Sequence, residues 1–257
     1  MIDLNLLEGK DAALAARAGE LFSDAISGRL AYPKFIGFLD EYGQEIVLAA
    51  AASVGYRGVL FYGGYENSER NYLGVFPEYM PPDESKFPIT PVTMRYREAD
   101  KPSHRDFLGA MLALGIKREA VGDILVGAGE CVAFLSDSVA GLIIGELTRV
   151  GRVGIKISEG RGGALPVGRS FLTINGTVGS ERLDCVTALV TKLSREKAAA
   201  LISGGSVRVN GCTEISASFR LNEGDKLSIK GCGRFVVEEF GANTKKGRVH
   251  VICKKYI

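Results

Sequence analysis

Long apolar runs are missing from this 257-residue chain. Its uninterrupted apolar stretches, such as those containing residues 48–52 and 140–145, fall far short of the roughly 20 residues that a membrane-spanning helix requires. The start, MIDLNLLEGKDA, has no basic segment followed by an apolar run and a small-residue cleavage site, so no secretory leader is expected and the chain is placed in the cytoplasm. Histidine is nearly absent, with two residues, and the five cysteines (Cys131, Cys185, Cys212, Cys232 and Cys253) form no CxxC pair. That pattern argues against a zinc site and against a disulfide framework, leaving scattered structural thiols and no expected metal or cofactor. The HRD of residues 104–106 stands without a Gly-rich phosphate loop, a lysine strand or DFG, so it is not a kinase loop, and His104 reads as a helix-start or packing residue.

What is present is a chain apolar enough, at 46% hydrophobic, for two or three cores. Its net charge is only +2, but the charge is unevenly spread. From residue 180 onward there are 14 Lys and Arg against 8 Asp and Glu, net +6, which leaves 18 against 22, net −4, for the other 179 residues. A basic excess confined to one end is what a phosphate-binding footprint looks like, although a solubility surface has the same total.

Apolar spacing predicts an amphipathic helix over residues 8–27, a turn at FIGFLDEYG, a helix over 44–54, and then strand, Gly-rich turn and strand through RGVLFYGGYENSERNYLGVFPEY. Within that stretch, GGYENSER suits a structural loop, with Glu66 and Arg70 at helical spacing. The Pro-rich MPPDESKFPITP marks a boundary near residue 85. Next come strand 89–96, helix 103–114, strands 123–126 and 131–136, helix 138–150 and strand 154–158. This βαββαβ order fits a ferredoxin-like, RRM-like plait. RNA-recognition motifs of the ordinary kind carry exposed aromatics on their central strands, and here CVAFLS offers only Phe134. EGRGGALPVGRS, with Arg161 and Arg169, reads as a linker. Beyond it, helices 183–193 and 195–202 precede short strands in SVRVNG, DKLSIKG, RFVVEEF and RVHVICKKY.

The chemistry concentrates at the second of these helices. LSREKAAALI sets Ser194 as N-cap with Arg195 and Lys197 in the first turn, where the helix dipole favours acids and Lys197 stands in the place of a capping-box Glu or Gln. A bound phosphate would answer both the cations and the free amides, and Glu196 offsets part of the misfit. In the tail, NTKKGRVHV places Lys245, Lys246 and Arg248 beside a glycine, either as a cationic loop for phosphates or as a solvated hairpin tip. Arg105 and Lys117-Arg118 are weaker candidates for RNA contact.

The segment ERLDCVTALVTKLSREKAAALISGGSVRVNG resembles the alpha-L RNA-binding domain named for the small-subunit ribosomal protein S-four. The resemblance rests on Arg182-Leu183-Asp184, Ser194-Arg195, residues 201–211 and the turn of residues 221–229, in that order. It implies RNA phosphates along Arg182, Ser194, Arg195 and Lys197 with Arg208 and Asn210 beside them, and Asp184 as an intramolecular partner. GGYENSER, HRDFLGAMLALGIKREAVGDI and GRFVVEEFGANTKKGR further resemble the YlmH family of bacterial ribosome-associated S-four-domain proteins. That resemblance implies an α+β chain: an N-terminal α/β unit (residues 1–84), the plait (85–160), a linker (161–180) and an alpha-L domain (181–257). It also implies a non-catalytic monomer that binds the large ribosomal subunit carrying peptidyl-tRNA during quality control, touching ribosomal RNA and tRNA and no membrane. Two rivals stand beside it. An RNA-modifying enzyme of pseudouridine-synthase type would need a catalytic aspartate after an RLD-type strand in its own domain, whereas the one RLD here opens a helix. A protein-binding adaptor linked to cell division would use the acidic N-terminal half.

Overall fold

In a computed structural model the fold is described for residues 2–166, 171–244 and 247–256. Two compact units result, Met1–Gly168 and Arg169–Ile257. The fold is mixed α+β with antiparallel sheets.

The first unit opens with α1 (Gly9–Ile26), β1 (Lys34–Leu39), α2 (Glu41–Val54), β2 (Leu60–Tyr62) and β3 (Asn71–Val75). Helix α1 buries Ala18, Phe22 and Ala25, a stripe at helical spacing, and Phe22 stacks on Tyr56 with ring centroids 4.7 Å apart. Strand β1 occupies the stretch expected to be a turn. Gly37 suggests a turn in the sequence, but it is there because a Cβ would come within 2.8 Å of the Glu119 carbonyl oxygen. The glycine permits close backbone approach inside a strand. Asp40 then caps α2 by accepting from the Gly43 amide at 3.0 Å, and Gly55 ends that helix at φ 73°.

The plait follows as β4 (Ile89–Arg95), α3 (His104–Leu112), β5 (Val121–Val126), β6 (Glu130–Ser136), α4 (Asp137–Glu146), a small hairpin of β7 (Arg149–Val150) and β8 (Val153–Gly154), and β9 (Lys156–Glu159). Its antiparallel order β5-β6-β4-β9 puts the first and third strands of the plait at the centre. A capping box of Ser103 and Asp106 starts α3. Helix α4 ends four residues earlier than its apolar pattern predicts, because Gly151, at φ 57°, turns the chain into the β7–β8 hairpin.

These elements stack in four layers. Helices α1 and α2 cover one face of the sheet β1-β3-β2 through Phe22, Val47, Ala50, Ile36 and Leu73. Helices α3 and α4 cover one face of the plait sheet through Phe107, Met111, Ile143, Met94 and Leu135. The remaining faces of the two sheets meet across an aromatic layer that contains Phe38, Tyr72, Phe76, Phe87 and Phe134. Gly64, at φ 97°, lies so close to the Phe134 ring that a Cβ would be 2.3 Å from it. The GGYENSER loop is fixed over this layer: Asp123 accepts from the Tyr65 hydroxyl (2.7 Å) and from the amides of Glu69 (2.7 Å) and Arg70 (3.2 Å), while Arg70 donates to the carbonyls of Phe38 and Val121. The Pro-rich stretch near residue 85 is thus a connector between layers of one compact unit.

The second unit contains β10 (Phe171–Val178), α5 (Leu183–Thr191), α6 (Arg195–Ser203), β11 (Val207–Val209), β12 (Cys212–Thr213), β13 (Lys226–Ile229), β14 (Gly233–Asn243) and β15 (Val249–Tyr256). They form a six-stranded antiparallel sheet, β10-β15-β14-β13-β11-β12. Residues 171–178, expected within the linker, pair with β15 along their whole length, from Phe171 opposite Tyr256 to Val178 opposite Val249. Gly176 in that strand admits α5, since a Cβ there would sit 2.4 Å from Leu189. Both helices pack on one face of the sheet, burying Leu183, Val186, Val190 and Ile202 against Val207, Leu227, Phe235 and Val251. Cys185 and Cys253 belong to this core, and Cys131 to the plait's.

Candidate nucleic-acid interface

The start of α5 is built by the loop that precedes β13. The amides of Leu183 and Asp184 donate to the carbonyls of Phe219 (2.8 Å) and Ala217 (3.1 Å), and Arg182 and Arg220 face each other across an isolated antiparallel bridge. These contacts use the first amides of α5, so this helix terminus is closed to an anion. At the start of α6, the Ser194 hydroxyl accepts from the Lys197 amide at 3.3 Å. That cap leaves the amides of Arg195 and Glu196, the first two of α6, for other acceptors.

Between the two helix starts lies Asp184, with a side chain only 5% exposed. Arg182 donates to it through Nε (3.1 Å) and Nη2 (3.2 Å), and Arg195 through Nε (2.8 Å). Burial alone would raise the Asp184 pKa, but the hydrogen bonds from Arg182 and Arg195 outweigh it and hold the carboxyl below its usual range. The same bond raises the Arg195 pKa. Two guanidiniums therefore converge on one buried carboxylate, and a positive charge is left over. Their side chains remain 40% and 58% exposed, and Arg195 commits only one of its five N–H donors.

Arg182, Ser194, Arg195 and Lys197 are thus brought together at neighbouring helix starts, with Lys197 exposed. Arg208, expected beside them, is not there. On β11 it alternates with the buried Val207 and Val209, so it projects from the sheet face opposite the helices. Asn210 is committed to the fold: at φ 50° its side chain donates to Asp225 (2.8 Å) and accepts from the Lys226 amide (2.8 Å). Arg248 lies at the start of β15, beside the end of β10, and donates to the hydroxyl and carbonyl of Thr177 (3.2 and 2.6 Å). Lys245 and Lys246 lie outside the described residues, as does Arg169.

One cation was missed. Arg220 sits opposite Arg182, is 78% exposed, and pairs with Glu181 at 2.6 Å. The available signal was its place immediately before the turn motif that begins at Leu221.

In the plait, Phe134 is fully buried and stacks on Tyr65 at 4.8 Å, so the sheet presents no aromatic reading platform. Arg118 is likewise unsuited to RNA: it donates to the carbonyls of Val121 and Gly122, and burial, reinforced by the nearby Arg70, pulls its pKa down to about 10. Arg105 and Lys117 are exposed.

Residues 82–161 match the family model described as "Putative RNA-binding domain in YlmH". Over 226 residues, 86% of this chain and 87% of the relative, the sequence is 33% identical to "Ribosome-associated protein quality control protein P2" of Bacillus subtilis (strain 168). The chain belongs to the YlmH family. A solved structure, "Cell division protein ylmH from Streptococcus pneumoniae", matches with 19% identity and a TM-score of 0.49, covering 60% of this chain and 93% of that one. In this family member the matched segment is the plait, and because its sheet is covered on both faces, RNA can reach only its helices, loops and rim.

Proposed function

We propose that this chain is a non-catalytic RNA-binding protein that binds the large ribosomal subunit carrying peptidyl-tRNA and acts in ribosome-associated quality control. The name of its Bacillus subtilis relative supports the ribosomal role, and the matched plait supports RNA as the partner. The second unit is read as an alpha-L domain whose helix starts receive RNA backbone. The observation that carries this reading is the convergence of Arg182 and Arg195 on Asp184, with Arg220 alongside.

That geometry suits phosphate. A buried carboxylate holds two planar forks by their inner edges, so their outer donors are oriented before RNA arrives and less rotamer entropy is lost on binding. Lys197 and the first amides of α6 add a point charge and a helix terminus. Guanidiniums stay protonated at any physiological pH, so they bind and orient; they do not shuttle protons. Ribosomal RNA and tRNA both present this backbone.

Sedimentation of cell extract with stalled ribosomes tests the proposal. The protein is expected with large subunits, and the double variant Arg195→Ala with Lys197→Ala, which leaves Asp184 its two bonds from Arg182, in the soluble top fractions. Wild-type protein found only at the top, or both proteins bound equally, would reject it.

A further inference from the structure

The face of the six-stranded sheet that the helices leave open has an organised surface. One row of side chains crosses all six strands: Phe171, Tyr256, Arg234, Ser228, Arg208 and Thr213, each opposite the next in register. A second row runs Thr173, Lys254, Val236 and Lys226. Alternation puts all of these opposite the buried Leu227, Ile229, Phe235, Val251 and Cys253; Phe171, Thr173, Arg208, Thr213 and Arg234 are exposed and the others half-buried.

The face is aromatic at one edge and cationic beyond it. The Phe171 and Tyr256 rings pack edge to face at 5.0 Å, with the Lys254 ammonium 5.8 Å from the Phe171 ring centre and the Arg234 guanidinium 5.4 Å from that of Tyr256. Arg208 and Lys226 extend the positive charge towards the other edge. Among the described residues, the acids on this side are Glu238, which pairs with Lys254, and Glu239, which sits opposite Ile252 towards the far end of the strands. His250 is at that far end too. Four cations thus share the two rows with the aromatic pair, and neither row contains an acid. At about 4.8 Å per strand the first row spans roughly 24 Å.

We propose that this face binds a single-stranded RNA segment, with bases stacked on Phe171 and Tyr256 and the backbone crossing the sheet along Arg234 and Arg208. This rests on the RNA-binding reading above and adds a second surface, on the opposite side of the sheet from the helices. Cations arranged along a strand-crossing track, beside rings that any base can stack on, are the combination that single-strand binding requires. A duplex offers its backbone but no free base face, so the two surfaces divide the labour: helix starts for folded RNA, sheet face for unpaired nucleotides.

Fluorescence anisotropy on the full chain, with a labelled oligouridylate and a labelled blunt hairpin RNA, tests this. Phe171→Ala with Tyr256→Ala is expected to weaken oligouridylate binding roughly tenfold or more, while Phe171→Tyr with Tyr256→Phe leaves it near wild type and both leave the hairpin unaffected. Arg195→Ala with Lys197→Ala, which leaves Asp184 bonded to Arg182, has the reverse pattern. Arg208→Gln with Arg234→Gln, which leaves the rings and the core intact, is expected to lower the salt slope for oligouridylate by about 1.4, roughly 0.7 per contact. Wild-type oligouridylate affinity in the folded alanine pair, an unchanged slope in the arginine pair, or wild-type binding to the hairpin alone would overturn the inference and leave the RNA-binding reading standing. Binding to neither RNA would overturn both.

Discussion

Arg195→Ala separates a phosphate contact from a structural ion pair. Arg195 spends only Nε on Asp184, at 2.8 Å, and its side chain is more than half exposed. Removing it leaves Asp184 with both bonds from Arg182, so the buried carboxylate stays satisfied and the fold should hold. Each phosphate neutralised on a duplex contributes about 0.9 to the slope of log affinity against log salt. One lost contact should therefore flatten the slope by about 0.9, and over a fourfold rise in salt the wild-type affinity should fall about 3.5 times further than the variant's. Anisotropy titrations with a structured RNA at several salt concentrations, paired with thermal melts, measure both quantities. Parallel slopes with unchanged affinity would remove Arg195 from the RNA face. A large drop in Tm would make it a structural residue, and the reasoning from Asp184's remaining partners would be wrong.

Asp184→Asn deletes a negative charge, yet it is expected to weaken RNA binding because the guanidiniums lose their anchor; a general charge effect predicts tighter binding, and the same titration decides. The change should also cost about 1–2 kcal/mol of stability at neutral pH. Because the folded carboxyl is held below its usual range, its contribution is complete above the ordinary aspartate pKa and disappears as pH falls through the folded value, so acid denaturation below about pH 4 should be steeper in wild type than in Asp184→Asn. Asn210→Ala is expected to lose about 2 kcal/mol, from two side-chain hydrogen bonds and a positive φ, without changing RNA affinity per folded molecule. Phe134→Ala should cost about 3–5 kcal/mol in urea denaturation by emptying the aromatic layer, and a loss below about 1 kcal/mol would mean that the sheets do not close over it.

Much of the fold was legible because helical and alternating periodicities mark which faces are apolar. The order of the plait follows from that alone. The errors have local causes. Gly37 and Gly176 resemble turn or linker residues, but each lets another element approach a strand, and closeness of that kind appears only once the partner is placed. The aromatic layer was hidden for a related reason: Phe38, Tyr72 and Phe134 read as core residues, while which sheet covers which is a tertiary fact. At the candidate site, the SR pair and the RLD start identified Arg182, Arg195 and their helix-start setting. Period-two alternation on β11 would have placed Arg208 on the other face, but the resemblance grouped it by neighbourhood in sequence. Arg220 came into view only through its bridge to Arg182, 38 positions away in the chain.

Crosslinking protein to RNA on stalled large subunits, with the crosslinked peptides mapped by mass spectrometry, addresses the central claim directly. Crosslinks on peptides that span Arg182 to Lys197 are the expected result. Crosslinks confined to the plait, with α5 and α6 untouched, would contradict it.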